Sequence, residues 1–300
     1  FDDIVVGNIR LLPGSEMEDD QCRETYQLKT KYRLISGSYG KYDGDPVFDF
    51  EESVRSSRDI TEEEMHSLRL VHFFIYPFWN LGMAKPLLQW LQSDYGRNPL
   101  DVILKVTQLG NDSELDKFIQ EFDREAREEW FDSPEALRQY YSKNFDDLVD
   151  KGFLKLNFKF LAKFLLDKNF ARILIHSIIQ ECNSKVAIEL AQFCLDRIYF
   201  LDSSETSRTA YYSDEAISVL KKLFPSCVFK SNTIQFKIED SVRRPIEFDL
   251  NRFCFDEDPL RALALTLETY RSQFLMGFES GASAITSVPH LAQSSSSVVT

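Results

Sequence analysis

The chain has 300 residues, 43% of them hydrophobic and 13% aromatic, which is enough apolar material for a real core in one large domain or two smaller ones. Its formal net charge of −13 argues against nucleic acid as a partner, because that binding rests on Lys and Arg neutralising phosphates. Five cysteines, Cys22, Cys182, Cys194, Cys227 and Cys254, stand far apart and lack the close spacing of zinc or iron–sulfur sites. They read as free thiols in a reducing, cytoplasmic setting.

The opening, Ile4 to Leu12, is apolar and β-branched and predicts a buried strand. It runs into Pro13-Gly14, which suit the central positions of a type II turn, with Ser15 and Glu16 just beyond. A chain that starts on such a strand, without an initiator Met, reads as a piece of a larger protein. Lys31 to Ile35 has strand composition, Ser36 to Pro46 holds three glycines and a proline and predicts a loop, and Val47 to Phe50 predicts a short edge strand.

From Thr61 the pattern turns helical. Thr61 with Glu64 matches a capping box, and Met65, Leu68, Val71, Phe74, Ile75 and Phe78 recur at helical steps. Asn80-Leu81-Gly82 closes this helix, and Pro86 opens the next. Leu68 to Leu91 is the most apolar window, but Arg69, His72, Pro77, Lys85 and Pro86 interrupt it. A charge near a membrane centre costs roughly 2.5–3.5 kcal/mol, so no transmembrane segment is expected.

Further helices are predicted from Asn111-Asp112-Ser113, from the cap at Ser133-Pro134, over Ile173–Cys182 and Val186–Leu201, and from Ser213. Residues 112–150 carry thirteen acids and five bases, a net of −8, whereas 151–172 carry six bases and one acid, a net of +5. Lys155, Lys159 and Lys163 share one helix face. That face is either a membrane or acidic-partner grip, or a solvated stripe beside the chain's own acidic helices, and the second is favoured. Val228 to Ile238 predicts a small hairpin, Ile246 to Phe248 a third strand, and Leu260 to Phe278 the last helix. The Ser-rich tail from Gly281 has too little to bury and is expected to be disordered.

The chain contains no Gly-rich dinucleotide or phosphate loop, no H-E-x-x-H and no G-x-S-x-G. His66 and His72 are six apart, roughly 120° around a helix, so they cannot converge on a metal. His176, flanked by Ile175 and Ile178, reads as an interior residue, and the many carboxylates read as an acidic surface.

The run Ile9-Arg10-Leu11-Leu12-Pro13-Gly14-Ser15-Glu16-Met17, then Tyr26 to Arg33, then Ser38-Tyr39-Gly40-Lys41-Tyr42, resembles the end of the partial barrel in radical S-adenosylmethionine proteins, particularly those with an N-terminal cobalamin-binding domain. The resemblance covers about the first fifty residues. It implies the terminal strand of a partial α/β barrel over residues 1–52, followed by a mainly helical domain over 53–280 and a tail over 281–300. It also implies S-adenosylmethionine and a [4Fe-4S] cluster as cofactors of the parent protein, with cobalamin as a further one. Pro13, Gly14 and Glu16 would border that cofactor cleft, and no catalytic or metal-binding residue is assigned. The family's C-x-x-x-C-x-x-C is not in these residues. The expected partners are therefore an upstream half of the same barrel and a substrate not specified by the sequence. A second reading makes the chain a non-catalytic acidic helical module that meets a basic partner through residues 112–150.

Overall fold

The computed structural model describes residues 3–108, 113–180, 182, 184–201, 205–253 and 258–280. A two-residue strand, β1 (Arg10–Leu11), leads through a turn to helix α1 (Asp20–Tyr26) and then to a long hairpin, β2 (Lys29–Tyr42) and β3 (Asp45–Ser56). Helix α2 (Glu62–Ile75) runs on through a wide π turn at Tyr76–Asn80 into α3 (Lys85–Tyr95) and α4 (Pro99–Val106). Helices α5 (Ser113–Glu128), α6 (Pro134–Lys143), α7 (Phe145–Lys151), α8 (Leu156–Leu166), α9 (Lys168–Ser177) and α10 (Lys185–Asp196) follow. The chain then passes through β4 (Ser207–Tyr211), α11 (Asp214–Leu223), β5 (Thr233–Lys237), α12 (Asp240–Phe253), α13 (Pro259–Tyr270) and β6 (Gly277–Ser280).

The protein is thus mainly helical with a small β component, in two three-stranded sheets ordered β1-β3-β2 and β4-β5-β6. Every pairing between these strands is antiparallel, so they do not by themselves form a parallel barrel. β3 runs through residue 52, the expected limit of the first part.

The hairpin corrects the expected loop over Ser36–Pro46. β2 continues to Tyr42, which pairs with Asp45 across a two-residue turn of Asp43 and Gly44, both at positive φ. That is the geometry of a type I′ turn, whose twist matches the flanking strands. The glycines serve the same hairpin: register shifts between Leu34 and Tyr39, and Gly37 at φ +78 lies in this bulge. The predicted edge strand at Val47–Phe50 is part of β3, the central strand of its sheet.

The predicted strand over Ile4–Leu12 contracts to β1. Only Arg10 and Leu11 find a ladder, against Ser53 and Glu52, and Val5, Val6, Ile9 and Leu12 remain exposed. Ile4 is held instead by a side chain: its N–H donates to Asn80 Oδ1 at 3.0 Å, and Asn80 Nδ2 donates back to its carbonyl at 2.8 Å.

Two other strand expectations are corrected. β5 pairs with β4 and β6, not with Val228–Lys230. Ile246–Phe248 lies inside α12, where Arg243 bridges Asp240 and Glu247 at helical spacing. The last predicted helix ends at Tyr270, and Gly277–Ser280 leaves it to complete the second sheet as β6. Its even-numbered residues Phe278 and Ser280 are buried while Gly277 and Glu279 are half-buried, the alternation of a strand. The tail beyond Ser280 and the predicted cap at Asn111–Asp112 lie outside the described residues.

The main core joins α2, α3, α5, α8, α9, α10 and α13 to the second sheet, and its centre is aromatic. Phe73, Phe118, Phe122 and Phe160 meet with ring centroids 4.8–6.2 Å apart. A smaller cluster of Leu34, Phe48, Leu137, Phe145 and Leu148 fastens the hairpin to α6 and α7. The basic face of α8 is used within the chain: Lys159 pairs with Glu125, Lys163 with Glu121 and Lys155 with Glu268. No described helix is long and apolar enough to cross a membrane.

Candidate functional site

A cleft of about 620 Å³ opens between the hairpin sheet and the helical body. One wall is the extended segment Ile4–Asn8, Arg10 and the bulged edge of β2. The other is α2 with the start of α8, and the end of α5 closes it at Glu129. The wall is built by two local choices. The bulge turns Ile35 and Ser36 to the cleft, and the π turn carries Asn80 to where it can grip Ile4.

Its floor is an ionic lattice. Arg33 and Glu51 stand directly opposite in the β2–β3 ladder, where opposite charges stabilise a sheet. Arg33 donates through Nε at 3.0 Å and Nη2 at 2.5 Å to Glu51 Oε1, while Arg10 Nε lies 2.5 Å from Oε2. The Glu51 side chain is only 5% exposed, so two guanidinium groups offset the cost of removing its charge from water.

Deeper in, Arg69 of α2 donates to Asn157 at 2.8 Å. Glu129 lies between the two arginines, 3.5 Å from Arg33 Nη1 and 3.7 Å from Arg69 Nη2. Those are ion-pair separations too long for hydrogen bonds, and its buried Oε2 has no hydrogen-bond partner. Arg33 and Arg55 both lie over the Trp130 ring, at 4.8 and 4.3 Å from its centroid, contacts that suit a planar guanidinium. Burial pushes Arg69 and Arg55 below the usual arginine range. His72, which also lines the cleft, is lowered by burial and then by the nearby Arg69 charge, so its neutral form is favoured.

Pro13, Gly14 and Glu16 are elsewhere. They form an exposed turn closed by Ser15 N–H donating to the Leu12 carbonyl at 3.0 Å, with Gly14 at φ +79 as the turn requires. Gly14 N–H donates to Glu18, and none of the three lines the cleft. The residues that do, Arg33, Glu51, Arg69 and Glu129, carried a signal in the sequence. Arg69 interrupts the most apolar helix, and Glu51 and Arg55 interrupt a strand with Phe48, Phe50 and Val54. A charge in an apolar element is either a solvated edge or a buried site, and only packing tells which.

Among the described residues no group of three His, Cys, Asp or Glu side chains converges to hold a metal ion, and Cys22, Cys182, Cys194 and Cys227 are free thiols. These residues do not fit an iron–sulfur cluster. A second, mostly apolar pocket of about 440 Å³ lies beyond Ile4 and is lined by Trp79, Pro99, Leu100 and Ile103, so Ile4 separates the two cavities. Neither a protein-family model nor a curated protein matches the chain.

Proposed function

We propose that this chain is the substrate-shaping part of a cytoplasmic radical S-adenosylmethionine enzyme of the cobalamin-binding type, and that the ionic cleft is where its substrate lies. The observation that carries the reading is a juxtaposition. Of the segments that resemble that family, Ile9–Met17 contains Arg10 and Tyr26–Arg33 contains Arg33, and both arginines line one wall of the cleft; the bulge at 34–37 falls between Tyr26–Arg33 and Ser38–Tyr42. In this reading β1 and the Pro13-Gly14 turn with Glu16 belong to the rim of a partial barrel, and the helical body caps it.

Cluster, S-adenosylmethionine and cobalamin would be held by other parts of the protein. The cleft residues bind and orient substrate and exclude water from a reactive centre. The test is anaerobic reconstitution of the full-length protein with iron and sulfide. A [4Fe-4S] absorption band with reductive cleavage of S-adenosylmethionine is expected, and absence of both overturns the reading.

The acidic-module reading has less support. Within 112–150, Asp123, Glu125 and Glu121 already engage Arg127, Lys159 and Lys163 of the same chain, which leaves fewer carboxylates for a basic partner.

A further inference from the structure

The cleft is cationic in an acidic protein. With Lys155 paired to Glu268, its lining holds Arg10, Arg33 and Arg69 against Glu51 and Glu129, an excess of one positive charge, while the whole chain carries −13. Clustered charge of one sign in a concave, low-dielectric place focuses the field there, so the cleft attracts what the rest of the surface repels.

The lattice has also left donors without acceptors. Arg33 uses Nε and Nη2 on Glu51, and its Nη1 faces Glu129 at 3.5 Å. Arg69 uses Nη1 on Asn157, and its Nη2 faces Glu129 at 3.7 Å. One Nη from each of two guanidinium groups thus converges on one place, and the carboxylate there stands beyond hydrogen-bond distance of both. Charge-assisted N–H donors from two guanidinium groups match the separate oxygens of a planar or tetrahedral oxyanion, one hydrogen bond from each. Stacking on Trp130 and the Glu51 pair hold Arg33 in place before any ligand arrives, so little order is lost on binding.

We propose that the cleft binds an oxyanion, the carboxylate or phosphate group of a small ligand, between Arg33 and Arg69, with Glu129 as a competing wall that moves aside. This rests on reading the cleft as the substrate site, but it requires no cofactor, so it can be tested separately. Glu129 has no hydrogen bond at Oε2 to lose, whereas the ligand gains bonds from both arginines. The two pairs also differ in strength. Glu51 is bonded to Arg33 at hydrogen-bond distance and stays in place, while Glu129 is held by charge alone.

The experiment is a titration of the purified chain with inorganic phosphate and, separately, with acetate at low ionic strength, followed by calorimetry and Trp fluorescence. Saturable binding is expected. Arg69→Gln should weaken it roughly tenfold or more, the effect of losing a charge-assisted hydrogen bond. Glu129→Gln should strengthen it several-fold, because it removes a like charge at ion-pair range. Far-UV circular dichroism establishes that each variant is folded, and the gain in Glu129→Gln cannot arise from misfolding. Tighter phosphate binding assigns the site to a phosphate ester, and tighter acetate binding to a carboxylate. No saturation by either anion, or affinities indifferent to both substitutions, would overturn the proposal. Binding without S-adenosylmethionine cleavage in the full-length protein would leave the oxyanion site standing and remove the proposed function; cleavage without binding would do the reverse.

Discussion

Replacing Glu51 by Gln tests whether the floor of the cleft is a stabilising lattice or a frustrated one. Losing one partner of a buried ion pair costs about 3–5 kcal/mol when the other charge is left unpaired. Here three features reduce that. Arg10 is 56% exposed, and water can solvate it, so its share falls to about 0–1 kcal/mol. Arg33, whose side chain is 18% exposed, keeps Glu129 at 3.5 Å and the Trp130 ring. The Gln carbonyl also still accepts one hydrogen bond. The expected loss is about 2 kcal/mol. Equilibrium urea unfolding followed by Trp fluorescence and circular dichroism would read it as a lower midpoint at unchanged slope. In a double-mutant cycle with Arg33→Gln, a coupling of about 1–2 kcal/mol is expected. A loss below about 0.5 kcal/mol, or a coupling near zero, would show that the lattice contributes nothing net and would refute the argument.

Phe160 is fully buried among Phe73, Phe118 and Phe122, so Phe160→Ala should cost about 3–5 kcal/mol and lower Tm by roughly 10 °C; a loss within about 1 kcal/mol would mean that the core can collapse into the space. Burial lowers His66, His72 and His176 from their usual range. Below about pH 6.5 the unfolded chain therefore takes up protons that the folded one resists, and stability falls as pH drops. The urea midpoint should be lower at pH 5.5 than at pH 7.5, with His72→Phe recovering part of the difference, and a flat or rising midpoint would contradict it.

The helical body was largely legible because its signals are local. Thr61 and Glu64 form the capping box that their spacing predicts, Ser133 and Ser213 accept from the backbone three residues on, and the Pro13-Gly14 turn closes as expected. The lysine stripe of α8 also belongs beside the chain's acidic helices, as favoured. Some helix bounds were missed: the expected helix from Ser133 toward Val149 divides at Asn144 into α6 and α7, the last one stops at Tyr270, and α4 and α12 were not foreseen as helices.

The β regions and the site were less legible because their partners are distant. Asp43-Gly44 carried the hairpin signal, but Gly37 and Gly40 made the stretch look like a loop until β3 was there to pair with it. Gly277–Ser280 extends the periodicity of a helix by chance, and pairing with Ile234–Lys237 of β5 turns it into a strand.

Composition and spacing alone determined that this is a helix-rich, acidic protein with an aromatic core, since burial of apolar faces at helical steps needs no knowledge of what they meet. Only the tertiary structure decided where the charges go. Arg33 and Glu51 are eighteen residues apart, Arg69 and Asn157 eighty-eight. No local rule distinguishes a guanidinium in water from one aimed into a cleft, because the difference is the dielectric that the rest of the fold creates around it.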